Sequence, residues 1–186
     1  MIEVYIKKIE PIDEKIENRI LNSLSKNARE RLNKKRNSAL RLASLCVLSL
    51  LTDEQRADLD YTESGIPYFK TMDEYISISH SNTYSSLAIS DFSVGIDVED
   101  INIKTNSQNL LRFFTENEQK EIENRTSTLE IWTKKEALFK YLKNDDINFI
   151  SLDTTQASVF FKTINLDGAI LTVCCEKQTE IKMQKL

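Results

Sequence analysis

Glycine is scarce in this 186-residue chain: Gly65, Gly95 and Gly168 are the only three, and they lie far apart. No glycine-rich loop can therefore cradle a phosphate, which excludes P-loops and dinucleotide-binding turns. Histidine is scarcer still. His80 stands alone, so multi-histidine zinc sites are excluded, and any Ser-His-Asp or Cys-His chemistry would run through that one ring. The three cysteines, Cys46, Cys174 and Cys175, are odd in number and lack a CxxC spacing, the pattern of reduced thiols in a reducing compartment. The opening MIEVYIKKIE lacks the apolar stretch of a signal peptide. The most apolar run, Leu40 to Leu51, is broken by Arg41, Ser44 and Ser49 and is too short for a bilayer. A cytoplasmic protein with no membrane partner is expected. The net charge of −4 gives no overall attraction for nucleic acid, so an anionic ligand needs a local basic patch.

The length of 186 residues supports one large domain or two small ones, and 40% apolar with 29% charged residues is an ordinary soluble globular mixture. Ile2, Val4 and Ile6 alternate as a strand. Ile12, Ile16, Ile20 and Leu24 recur every four residues as the stripe of an amphipathic helix. From Lys26 to Arg41 there are seven basic residues and one acidic residue. That segment is either a solvated helix face or a phosphate-binding one, and it lacks the interleaved aromatics of a single-strand nucleic-acid binder. The apolar stretch Ser38–Leu51 predicts a buried helix beneath it. Thr62–Pro67 is a turn cluster. Strands are expected at Tyr75–Ser79, Ser85–Ser90 and Val94–Val98, a polar connection at 101–109, and a capping box at Thr115 and Glu118. A helix over Thr128–Leu142 and strands at Ala157–Lys162, Ile170–Cys175 and Glu180–Met183 complete the pattern. The fold class is α+β: two pseudo-duplicated halves, 1–103 and 104–186, each with helix first and a small antiparallel sheet after.

Four constellations could carry chemistry. In Gly95-Ile96-Asp97-Val98-Glu99 the strand period puts both carboxylates on one face and Ile96 and Val98 on the other. Two acids side by side suit a cation held by oxygen ligands, Mg²⁺ above all, or else form the polar face of an edge strand. Trp132, Glu136 and Lys140 share a helix face, either as a surface ion pair or, with the only tryptophan, at a cleft. His80 ends a strand among small hydroxyls, Ser79 and Ser81, and is a structural residue or a ligand. The basic segment is the fourth.

In order and spacing, Gly65-Ile66-Pro67, Ser79-His80-Ser81, Gly95–Glu99, Phe113–Glu118 and Trp132–Ala137 resemble the 4′-phosphopantetheinyl transferases. The nearest type is the surfactin-synthetase-activating one, a pseudo-dimer within one chain. The resemblance implies that family's fold and the transfer of the phosphopantetheine arm of coenzyme A to a serine of an acyl or peptidyl carrier protein, with release of 3′,5′-ADP. It implies Asp97, Glu99 and Glu136 as Mg²⁺ ligands, with Glu136 as general base for the serine and Lys140 neutralising the phosphates. It implies His80 at the 3′-phosphate, and Arg31, Arg41, Lys135 and Lys140 as coenzyme contacts. Glu118 takes a place near the metal. The carrier is expected to be an acidic helical domain, and the enzyme a monomer because one chain holds both halves. The chain departs from the family at Ile66, where a lysine is usual, at Asn82, at Ala28, and at Lys143-Asn144-Asp145-Asp146 in place of a glycine-rich turn. Those departures leave an alternative, a non-catalytic relative that binds coenzyme A or a carrier protein.

Overall fold

The structure is a computed structural model that describes residues 1–102, 107–144 and 146–186. Its first strand, β1 (Ile2–Lys8), buries Ile2, Val4 and Ile6 as the alternation predicts. Helix α1 (Glu14–Ser23) starts at Asp13, whose carboxylate accepts from the Lys15 amide. Ile20 and Leu24 enter the core, but Ile16 stays 50% exposed. A strict four-residue spacing advances about 40° per step on a helix of 3.6 residues per turn, so the stripe cannot keep all its members inward. The basic segment places Lys26, Arg29 and Arg31 on α2 (Lys26–Asn33), capped by Ser25, then Lys34, Lys35 and Arg36 in the connection, and Arg41 on α3 (Ser38–Leu48), capped by Asn37. Helix α3 buries Leu45, Val47 and Leu48, and ends three residues before the predicted Leu51. Helix α4 (Asp53–Asp58) opens on a Thr52 capping box. The turn cluster joins a short hairpin, β2 (Leu59–Tyr61) and β3 (Pro67–Phe69).

Strands β4 (Tyr75–His80) and β5 (Tyr84–Ser90) pair antiparallel, and β5 pairs antiparallel with β1. The far end of the sequence supplies β9 (Ile181–Lys185), which runs parallel to β1, giving the order β4-β5-β1-β9. A second, fully antiparallel sheet has the order β6-β8-β7, from β6 (Val94–Asp100), β7 (Phe160–Leu166) and β8 (Ala169–Cys175). The expected strand at Ala157–Lys162 thus starts later and runs longer. The Asp167-Gly168 turn fixes its register by pairing Leu166 with Ala169, and Gly168 takes a φ of +76° at the second central position, which costs glycine nothing. The fold class is α+β.

Helices α5 (Ser107–Leu111) and α6 (Glu116–Lys120) follow, the latter opened by the expected Thr115–Glu118 capping box. The predicted connection at 101–109 lies partly outside the described residues, and its last three residues begin α5. Helix α7 (Arg125–Leu142) packs on β6 and β8. Gly95 permits the closest approach: a Cβ there would sit 1.9 Å from the Ala137 carbonyl oxygen. The two sheets meet where β4 faces β6. There the Ser77 hydroxyl accepts from the Ile96 amide at 3.0 Å and the Ser79 hydroxyl from the Val98 amide at 3.4 Å. The main core lies between β1, β5 and the second sheet. Among the described residues no helix is long and apolar enough to cross a membrane.

Candidate active site

The crossing of β4, β6 and α7 sets the side chains of three elements into one cleft of about 350 Å³. Asp97 and Glu99 project from β6 as the strand period requires, while Ile96 and Val98 are fully buried on the other face. Glu136 and Lys140 enter from α7, one turn apart. Arg31, Lys35 and His80 line the same cleft and supply positive or hydrogen-bonding groups.

Lys140 binds Asp97 Oδ1 at 2.7 Å and the Ser79 hydroxyl at 3.0 Å, and Ser79 donates to the same Oδ1 at 2.7 Å. Both bonds fall on one oxygen. The other, Oδ2, is buried without a partner, a costly state for a carboxylate. Trp132 donates its indole N–H to Glu99 at 3.1 Å from an aromatic cluster with Phe113, Phe114 and Phe149. Burial, and then the Asp97 charge, push Glu99 up to about 7. Burial also raises Glu136, with Asp97 adding to it and Lys140 opposing. These acids repel one another in a partly buried site.

That frustration fits a hard cation. An orphaned carboxylate oxygen and two acids raised by their surroundings are what a divalent ion would relieve. Among the described residues no three His, Cys, Asp or Glu side chains converge as a ready cage. Mg²⁺ does not demand one, because it is commonly held by one or two carboxylates with water and substrate phosphates.

His80 is lowered by burial first, then by the Lys35 and Lys140 charges, which favour its neutral form in the free protein. Lys35 is itself lowered by burial and by Arg31. Arg31 lies with its guanidinium carbon 5.1 Å from the Tyr61 ring centre, against Gly65. Gly65 has a φ of +97°, and a Cβ on it would come within 2.0 Å of an Arg31 nitrogen. Gly65→Ala is expected to displace Arg31 and raise the KM for an anionic substrate several-fold with little change in kcat. An unchanged KM would show that Arg31 does not bear on the ligand.

Three residues expected in or near the cleft are elsewhere. Lys135 is fully buried and pairs with the equally buried Glu118 at 2.7 Å. It also donates to the Leu152 carbonyl and lies over the Phe149 ring. An interior carboxylate draws it away from solvent and ligand alike. Glu118, expected near the metal, is committed to Lys135, to its own capping box and to Thr154. Arg41 pairs with Glu17 of α1 and does not line the cleft; its place on α3 turns it toward α1. Two contributors were missed. Lys35 was legible only as one of seven charges, although it stands four residues after Arg31. The sequence presents Ser79 only as a neighbour of His80, whereas the fold makes it the partner of Asp97 across the sheets.

The residues now stand in the order of a known pattern. Residues 93–182 match the family model of the 4′-phosphopantetheinyl transferase superfamily. The match covers a little under half of the chain and contains Asp97, Glu99, Glu136 and Lys140. No curated protein matches the chain. The superfamily's chemistry, movement of a phosphopantetheine group, is compatible with a cleft that opposes bases and acids.

Glu99 yields a test independent of any ligand. Below about pH 4.5, its ordinary value, the acid is protonated folded or unfolded and costs nothing. Above about 7 the folded protein holds a charge its surroundings disfavour, so the penalty to folding grows between those limits. Glu99→Gln, which can still accept from Trp132, is expected to raise the melting temperature in EDTA at pH 8 and to leave it unchanged near pH 4.5. An equal gain at both would assign the effect to something other than the charge.

Proposed function

We propose that this protein transfers the 4′-phosphopantetheine arm of coenzyme A to a serine of an acyl or peptidyl carrier protein in the presence of Mg²⁺, releasing 3′,5′-ADP, as a cytoplasmic monomer. One observation carries the reading: a single cleft sets Arg31, Lys35 and His80 beside Asp97, Glu99, Glu136 and Lys140. Cations and a neutral imidazole suit the nucleotide phosphates of a polyanion. Acids that repel one another suit a divalent cation, which would offset their charge and that of a diphosphate.

In this reading Asp97, Glu99 and Glu136 are the residues that would hold Mg²⁺. When bound, the ion neutralises charge on the diphosphate oxygens. Glu136 accepts the proton of the acceptor serine, a role for which a carboxyl raised toward neutrality is better matched than an exposed one. The serine oxygen bonds to the phosphorus that bears the arm, and the bond from that phosphorus to the oxygen of the 5′-phosphate breaks. Lys140, fixed by Asp97 and Ser79, donates to the phosphoryl oxygens as charge moves to the leaving group. Phosphoryl transfer needs little covalent chemistry from the protein, so positioned charge suffices and no glycine loop is required.

The test is intact-mass analysis of a purified apo carrier protein incubated with the protein, coenzyme A and Mg²⁺, with EDTA as control. A metal-dependent gain equal to the phosphopantetheine arm is expected. No gain on fatty-acid or peptide-synthetase carriers, with coenzyme A still bound in calorimetry, would replace transfer by binding alone.

A further inference from the structure

His80 stands between two hollows. It lines the cleft, and with Ser81 and Asn82 it also lines a separate cavity of about 520 Å³ whose far wall is α3. Packing alone does not fix the end of β4 there, so the place of the ring depends on what holds its neighbours. Both neighbours are serines, and each donates to an aspartate of β6 at 2.7 Å: Ser79 to Asp97, and Ser81 to Asp100. The first bond belongs to the cleft. The second lies outside it, and no step of the reaction uses it.

Asp100 is an odd end to its row. Along β6 the alternate residues Val94, Ile96 and Val98 point into the main core, and Asp100 continues them at 6% exposure. A carboxylate buried at the end of an apolar row is costly unless its oxygens are bonded. Here one oxygen accepts from the Ser81 hydroxyl, and the other from the Asn82 amide at 3.0 Å and the Thr83 amide at 3.2 Å. The Ser81 hydroxyl in turn accepts from the Thr83 and Tyr84 amides. The carboxylate thus gathers the whole turn between β4 and β5, which begins on the residue after His80. Asn82, one of the chain's departures from the family pattern, sits in that turn without strain. Among the described residues only Lys143 is a non-glycine residue with positive φ, so the turn has no need of glycine and is shaped by Asp100.

We propose that Asp100 is a positioning residue for the 3′-phosphate of coenzyme A, acting through His80. The inference rests on the reading of the cleft as a coenzyme site with His80 at that phosphate. Asp100 touches no ligand itself, because the strand period turns it away from the face that carries Asp97 and Glu99. Its three bonds set where β4 ends, and the end of β4 sets where the imidazole meets a phosphate oxygen. A hydrogen bond weakens steeply with poor angle and distance, so a slack turn loses the contact while the rest of the cleft stays as it is.

Calorimetric titration in Mg²⁺ compares coenzyme A with 3′-dephospho-coenzyme A, which lacks only that phosphate. Asp100→Asn keeps one oxygen for the two amides and turns a donor toward the Ser81 hydroxyl, whose oxygen already accepts twice. Asp100→Ala removes all three bonds. Both are expected to weaken coenzyme A about tenfold, the scale of one hydrogen bond lost from a charged group, and to leave the dephospho form within about twofold of the parent. In a His80→Ala background the same substitutions should cost nothing more, because the group they position is gone. His80 is the only histidine, so its ring signals in a nuclear magnetic resonance spectrum are unambiguous, and Asp100→Asn should move them in the free protein. Equal weakening of both ligands would overturn the proposal, since Asp100 would then act on the fold. Losses that add to that of His80→Ala would overturn it, as would unmoved ring signals with unchanged coenzyme A affinity. If Asp100→Ala melts below the assay temperature, Asp100→Asn decides. A parent protein that binds both ligands equally, or neither, would instead bring down the reading of the cleft, and this inference with it.

Discussion

Glu136→Gln should lower the rate of arm transfer by about a thousandfold, the scale of a lost general base, while the protein melts at or above the parent temperature. The two halves of that expectation have one cause. The carboxylate of Glu136 has no hydrogen bond to any described residue, and it is raised by burial and by Asp97. Neutralising it removes a buried charge and its repulsion by Asp97 at the loss of the Lys140 attraction, which burial outweighs, and it breaks no hydrogen bond. An acid that costs the free protein stability without bonding to it is placed for a partner that arrives later. Transfer rates from intact-mass time courses, with melts of the same preparation, check both halves. Near-normal turnover would remove Glu136 from the chemistry. A large fall in melting temperature would make it a structural residue.

Lys135→Ala is expected to act in the opposite way, lowering stability by about 3–5 kcal/mol, the usual cost of breaking a buried ion pair by deleting one member. Glu118 would be left inside the protein facing an empty space, still bonded to Thr115 and Thr154 but without its counter-charge. The pair joins α6 to α7, and the Leu152 carbonyl adds the following segment to the junction. Urea denaturation gives the cost. Replacing both members, as in Lys135→Met with Glu118→Gln, should recover part of it, because no charge is then stranded. A Lys135→Ala protein as stable as the parent but deficient in coenzyme A binding would return Lys135 to the ligand contacts that the motif implied.

The contrast between these neighbours marks how far sequence could reach. Local rules were legible. The period of two fixed which face of β6 carries Asp97 and Glu99, and the capping box fixed the start of α6. What depended on a partner distant in sequence was not. Nothing around Lys135 announces that Glu118 lies beside it, so the coenzyme contact that the family resemblance implies meets no objection in the sequence. Arg41 fared likewise, since its choice between the cleft and Glu17 depends on how α1 lies against α3. Ser79 was visible as a residue but not as a bond. Its role arises only when two sheets are brought face to face. The strand at Phe160–Leu166 was displaced for a local reason, because the Asp167-Gly168 turn was the stronger signal and outranked the apolar onset at Ala157.

The meeting of β4 and β6 has a consequence for how the cleft can move. Within each sheet the strands are laced by main-chain ladders, but between these two strands two serine hydroxyls receive the Ile96 and Val98 amides. A ladder yields only when a whole strand slides, whereas a hydroxyl can turn away by rotation about one side-chain bond. The boundary below Asp97 is thus a zipper of two teeth, closed at its end where Asp100 of β6 accepts from the Ser81 hydroxyl and the Asn82 amide. One tooth, Ser79, is the group that also grips Asp97 and Lys140, so a spreading of the sheets loosens the acid and the ammonium in the same motion.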